Sequence, residues 1–127
     1  MTVQSKILIA DDDASIRLVL SQDFTRLGYQ VRATGNATTL LKWVTDGEGD
    51  LVITDVVMPN MDGVDFVTKL RETFPLVPIL TISGGSRVVS ARFGLDSALL
   101  SGANASLTKP FNAKQLLETV AQLLAEV

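Results

Sequence analysis

The sequence predicts an α/β fold: a doubly wound, five-stranded parallel sheet of (βα)5 type. Short apolar runs alternate with stretches whose apolar residues fall at three- and four-residue steps, the signature of strands interleaved with helices. Strands joined through helices require right-handed crossovers, and hence a parallel sheet covered on both faces. Four predicted strands also end in a residue that phosphate chemistry can use. Residues 7–10 run into Asp11-Asp12-Asp13, 51–54 into Asp55, 78–82 into Ser83, and 105–108 into Lys109-Pro110.

Residues 7–10 form the first strand. Asp13 is placed to cap the first helix, since its carboxylate can accept from the free amides of the first turn. Ile16, Val19, Leu20 and Leu27 mark the apolar stripe of that helix, and Gly28 stops it. Residues 29–33 alternate like a half-exposed strand. Ala37, Leu40, Leu41 and Val44 mark a second helix, ending near Asp46-Gly47, and residues 51–54 return to strand. Asp62-Gly63 opens a third helix carrying Val64, Val67 and Leu70, which ends before Pro75. Residues 78–82 form the fourth strand, and the less regular segment 86–101 is where a fourth helix belongs. After the last strand, 105–108, Asn112 caps a final helix and Gln115 completes a capping box. Leu116, Val120, Leu123 and Leu124 form its buried stripe. Trp43 is expected at the rim of the second helix, and Phe24, Phe66, Phe74 and Phe111 in or beside the core.

The 127 residues suit one domain, expected over 1–127 with no output domain. With 46% apolar and 20% charged residues the composition is that of a soluble globular protein. A net charge of −3 argues against direct nucleic-acid binding, which usually shows a basic stripe. The absence of cysteine excludes disulfides and thiolate ligands and suits a cytoplasmic location. The absence of histidine excludes a histidine base, ligand or phosphohistidine of the chain's own. The first apolar run is too short for a signal-peptide core or a membrane span.

In such sheets ligands bind outside the carboxyl ends of the strands. Asp11 and Asp12 beside Asp55 would gather several negative charges within a few ångströms, an arrangement that needs a cation. An all-oxygen donor set favours a hard ion, most naturally Mg²⁺. Lys109 supplies a point charge for a phosphate oxygen and Ser83 a hydroxyl donor. An aspartate can carry a phosphoryl group covalently, and Asp55 stands alone on its strand end facing the others. Each feature alone has a plain reading as a cap, a loop residue, a turn or a surface lysine; their joint order carries the signal. A phosphatase of the haloacid dehalogenase type would need an aspartate where Val57 stands. A flavodoxin-type phosphate loop would be repelled by Asp11-Asp12-Asp13, and no dinucleotide or Walker-type glycine motif is present.

The segments Lys6-Ile7-Leu8-Ile9-Ala10-Asp11-Asp12-Asp13, Asp55-Val56-Val57-Met58-Pro59-Asn60-Met61-Asp62-Gly63, Ile82-Ser83-Gly84 and Leu107-Thr108-Lys109-Pro110-Phe111 resemble the receiver domain of two-component response regulators over the whole chain. The resemblance implies the flavodoxin-like strand order 2-1-3-4-5. It makes Asp55 the phosphoacceptor, with Mg²⁺ held by Asp11, Asp12, Asp55 and the backbone carbonyl of Val57. Ser83 becomes the switch hydroxyl and Lys109 the phosphate contact, with a cis Lys109–Pro110 bond. It further implies a histidine kinase or phosphotransfer protein as donor, and a downstream protein partner on the face of the fourth helix, fifth strand and fifth helix. No direct nucleic acid, membrane or turnover enzyme is expected; the chain would support its own phosphotransfer and autodephosphorylation.

Several residues depart from that pattern. Ser106 stands where the family usually has a tyrosine or phenylalanine whose ring reports the switch. Gly84-Gly85 follows Ser83, and the stretch from Ser83 to Lys109, with Arg87, Arg92, Phe93 and Gly94, runs a few residues long. Val57 and Gly85 cannot orient an attacking water, so slow loss of an Asp55 phosphate is expected. A phosphorylation-independent pseudo-receiver binding module is the competing expectation.

Overall fold

The computed structural model describes residues 5–56, 63–83 and 102–125. Among them the element order is β1 (Lys6–Ala10), α1 (Ala14–Arg26), β2 (Gln30–Thr34), α2 (Ala37–Thr45), β3 (Leu51–Asp55), α3 (Gly63–Thr73), β4 (Ile79–Ser83), β5 (Ala105–Thr108) and a C-terminal helix, Ala113–Ala125. The strands form one parallel sheet in the order β2-β1-β3-β4-β5, as expected. The expected helix in 86–101, together with Val57, Met58, Gly84, Gly85, Arg87, Arg92, Phe93 and Gly94, lies outside the described residues.

Both faces of the sheet are covered, so the central strands are apolar without alternation. Leu20 and Phe24 of α1 and Leu116, Val120 and Leu123 of the C-terminal helix pack on Ile7, Ile9, Leu51, Ile53, Leu80, Ile82 and Leu107. On the other face, Leu40 and Val44 of α2 and Phe66 and Leu70 of α3 cover Leu8, Ala10, Val52 and Ile79. The edge strand β2 exposes Gln30 and Arg32, and the Arg32 guanidinium lies 4.1 Å from the centroid of the half-buried Trp43 ring.

Two helix expectations need correction. In α1 the inward row is Ile16, Leu20 and Phe24, at strict four-residue steps, whereas Val19 is 53% and Leu27 58% exposed. Val19 projects about 100° round the axis from Leu20, away from the sheet, and Leu27 is already the C-cap. At the C-terminal helix Asn112 does cap, accepting from the Lys114 amide at 2.7 Å. No side-chain bond from the exposed Gln115 closes the box among the described residues. Leu124 is only partly buried.

At the end of the sheet where β4 and β5 begin, Arg71 of α3 binds the chain together. It donates to the carbonyls of Gly102 (2.8 and 3.0 Å), Pro75 (2.8 Å), Val77 (2.8 Å) and Phe74 (3.3 Å), and to Asn104 Oδ1 (2.6 Å). Asn104 passes the clasp to β4 by accepting from the Ile79 amide at 2.8 Å.

Candidate functional site

The opposite end of the sheet carries the polar strand ends. The order reverses between β1 and β3, so the crevice expected of such sheets opens where Asp11 and Asp55 emerge. The backbone ladder continues past the strands and fixes the first residue beyond each. The Asp11 amide donates to the Thr34 carbonyl at 3.0 Å, Val56 to Ile82 at 2.9 Å, and Lys109 to Ser83 at 2.7 Å. Asp13 caps α1 as expected, accepting from the amides of Ser15 (2.8 Å) and Ile16 (3.4 Å).

Asp11 and Ser83 are fully buried and Asp55 is 2% exposed; Asp12 is exposed. Carboxylates are seldom buried to this degree without a partner. Both share Lys109, whose Nζ lies 2.8 Å from Asp55 Oδ2 and 2.9 Å from Asp11 Oδ2. Only the contact to Asp55 is directed as a hydrogen bond. Asp11 Oδ1 accepts from the Asp13 amide at 2.9 Å, whereas Asp11 Oδ2 and Ser83 Oγ have no hydrogen-bond partner among the described residues. Burial pulls the Lys109 pKa down, but its hydrogen bond to Asp55 and the two carboxylates, Asp55 and Asp11, beside its ammonium outweigh that, so it lies above the ordinary lysine value. Lys109 is therefore a cation at neutral pH.

One carboxylate oxygen from each of Asp11, Asp12 and Asp55 lies within 4.8 Å of the others. Three carboxylates against one ammonium leave the cluster anionic, and Asp11 Oδ2 keeps acceptor capacity unused. A compact, all-oxygen, anionic donor set of this size fits a hard divalent cation. All five residues marked by the sequence — Asp11, Asp12, Asp55, Ser83 and Lys109 — thus end at one edge. The Val57 carbonyl lies outside the described residues. The Lys109–Pro110 bond is cis, as the resemblance implies.

Ser106, in register with Thr81, shares a hydroxyl–hydroxyl hydrogen bond with it at 2.5 Å. Thr81 is fully buried and lies two residues before Ser83, so both face the same side of the sheet. A short polar clasp thus occupies the position where the family's ring is expected. Sequence reasoning also missed Arg17, which donates to the Asp11 carbonyl at 2.7 Å; nothing in its spacing marks it beyond the turn of helix after Asp13.

Such a sheet, with acids at the β1 and β3 ends and a lysine after β5 that enters a cis peptide, defines a class of small α/β signalling domain. The profile of the response regulator receiver domain matches residues 7–121, and the chain belongs to that family. It is 45% identical over 120 residues to the DNA-binding transcriptional regulator NtrC of Bradyrhizobium sp. (strain RP501 Parasponia), covering 94% of this chain and 24% of that protein. Response regulator MprA of Mycobacterium sp. (strain KMS) is 33% identical over 119 residues, 94% of this chain and 50% of that one. Among solved structures, a CheY-like response regulator receiver domain protein from Methanospirillum hungatei JF-1 superposes with a TM-score of 0.88 at 27% identity, covering 98% of this chain and 96% of that chain. The chain spans about a quarter of the length of its NtrC relatives. Among the described residues no helix is long and apolar enough to cross a membrane.

Proposed function

We propose that residues 1–127 act as one phosphorylatable receiver domain in the cytoplasm, accepting a phosphoryl group on Asp55 from a histidine kinase or phosphotransfer protein. The observation that carries this reading is the Lys109 ammonium bridging two buried carboxylates, beside a buried Ser83 hydroxyl that has no partner among the described residues. Nothing in the packing of a sheet edge calls for that set, whereas phosphoryl transfer to a carboxylate uses each member.

An Asp55 oxygen attacks phosphorus; the O–P bond forms as the N–P bond to the donor imidazole breaks, and the imidazole nitrogen keeps the electron pair. Lys109 holds the Asp55 carboxylate and then a phosphoryl oxygen. Ser83 turns its Oγ–H to another. Asp11, Asp12 and Asp55, with the Val57 carbonyl, would hold Mg²⁺, which when bound neutralises charge on the transferring oxygens. The chain is a stoichiometric acceptor rather than a turnover enzyme. Its modified surface, on the face of the expected fourth helix, β5 and the C-terminal helix, changes affinity for a downstream protein. Because Val57 and Gly85 are apolar or lack a side chain, the phosphoaspartate persists well beyond seconds in Mg²⁺ buffer, as a time course of intact mass would measure.

Incubation with acetyl phosphate and Mg²⁺ tests the reading. One added phosphoryl group is expected by mass spectrometry, absent when EDTA replaces Mg²⁺ in the incubation and absent in Asp55→Asn. An unmodified wild type under conditions where Mg²⁺ binds would favour the phosphorylation-independent binding module instead.

A further inference from the structure

Arg17 takes no part in the chemistry above, yet it grips the loop that carries it. Its Nη1 donates to the Asp11 carbonyl at 2.7 Å, and no carboxylate pairs with it among the described residues. The guanidinium is seated where the β1–α1 and β2–α2 loops meet. Gly35 leaves the room for it: a Cβ there would lie 2.9 Å from Nη1, 3.5 Å from the guanidinium carbon and 3.7 Å from the Asp11 carbonyl oxygen. Gly35 does not adopt a left-handed backbone, so close approach, not conformation, is what its missing side chain serves.

The remaining polar groups of the loop are held from within or from the sheet. The Asp11 amide bonds Thr34, Asp11 Oδ1 takes the Asp13 amide, and the Asp13 carbonyl takes the Arg17 amide at 3.1 Å. Asp12 is exposed and follows the backbone on either side of it. Lys109 holds the Asp11 carboxylate from across the sheet, and Arg17 is the one side chain from beyond the loop that hydrogen-bonds its backbone, among the described residues.

We propose that Arg17 is a positioning residue for the cation: by holding the Asp11 carbonyl over Gly35, it keeps the Asp11 and Asp12 carboxylates where both meet Asp55. The proposal rests on the reading of this pocket as a Mg²⁺ site. It has a sign that charge alone would not produce. A guanidinium near a cation repels it, so simple electrostatics makes a neutral variant bind Mg²⁺ more tightly. Loss of positioning makes it bind more weakly, because the loop must be ordered at the expense of binding.

The test is a Mg²⁺ titration of the full chain at constant ionic strength, followed by backbone amide shifts, with thermal midpoints in EDTA alongside. The variants are Arg17→Gln, Arg17→Lys, Gly35→Ala and the Arg17→Gln/Gly35→Ala pair. Each single substitution is expected to weaken Mg²⁺ roughly tenfold, as removal of outer contacts at metal sites typically does. The lysine variant is included, since it keeps the charge but not the planar fork. The pair should lose no more than Arg17→Gln alone, because both changes release the same contact. Arg17→Lys and Gly35→Ala carry the test if the neutral variant folds poorly. Wild-type or tighter affinity in the variants, or additive losses in the pair, overturns the positioning role while wild-type binding stands. A wild type with no response at millimolar Mg²⁺ overturns the metal reading itself, and the positioning role with it.

Discussion

Lys109→Ala is expected to lower stability in EDTA by about 3 kcal/mol, the cost of removing one partner from a buried ion pair and leaving the other charges uncompensated. Two buried carboxylates, Asp11 and Asp55, would then lose the ammonium they share. For a domain of this size that corresponds to a fall in Tm of roughly 10 °C. Millimolar Mg²⁺ should restore much of the loss by replacing the missing positive charge, a linkage effect that grows with ion concentration. The pH dependence comes from the raised Lys109 pKa. A base whose native pKa lies above its unfolded value contributes fully below the unfolded value, about 10.5, and loses that contribution as pH rises through the native one. The Tm difference between wild type and variant should therefore stay constant from neutral pH to about 9 and shrink only above about 10.5. Thermal melts across that range, with and without Mg²⁺, measure both effects.

Arg71→Ala is expected to cost a similar amount for a different reason, about 3 kcal/mol, by releasing several hydrogen bonds at once from the partly buried carbonyls of Gly102, Val77 and Phe74 and the exposed one of Pro75. The guanidinium joins the end of α3 to the α3–β4 loop and to the start of β5 in a single fork. Burial lowers the Arg71 pKa, but an arginine keeps its charge at any pH the fold survives. Arg71→Lys should recover less than half of the loss, because a point charge on a flexible stem cannot address several carbonyls at once. Gly102→Ala should mimic it: Gly102 has φ +125°, and a Cβ there would meet Arg71 Cγ at 2.8 Å. Since this clasp lies at the far end of the strands from Asp55, each variant should still accept a phosphoryl group at temperatures where it is folded. Urea midpoints and intact mass after acetyl phosphate treatment check the two halves of that expectation.

The two predictions differ in how visible their residues are in the sequence. The carboxylates, Ser83 and Lys109 are legible because buried parallel strands are unbroken apolar runs, so the first polar residue after each run marks the sheet edge. Asp11 and Asp12 are adjacent and chemically identical, and only the three-dimensional arrangement separates the buried one from the exposed one. Phe24 displaces Val19 from the inward row of α1 because one face of a helix is narrower than a set of apolar positions implies. Arg17 and Arg71 are illegible for a common reason. Both act on backbone carbonyls, which every residue possesses, so no pairing of residue types announces them. The Thr81–Ser106 clasp likewise depends on strand register between segments 25 positions apart, which local pattern does not encode.

The central claim is that Asp11, Asp12, Asp55, Ser83 and Lys109 form one phosphoryl-accepting site on Asp55. A crystal structure grown with Mg²⁺ and beryllofluoride, a mimic of the acyl phosphate, tests it most directly. The expected result is the mimic on Asp55, Mg²⁺ coordinated by Asp11, Asp12 and Asp55, the Ser83 hydroxyl within hydrogen-bond reach of one fluorine and Lys109 Nζ of another. Beryllofluoride absent from Asp55 at saturating concentration, or bound there with Ser83 Oγ making no contact to it, would contradict the account.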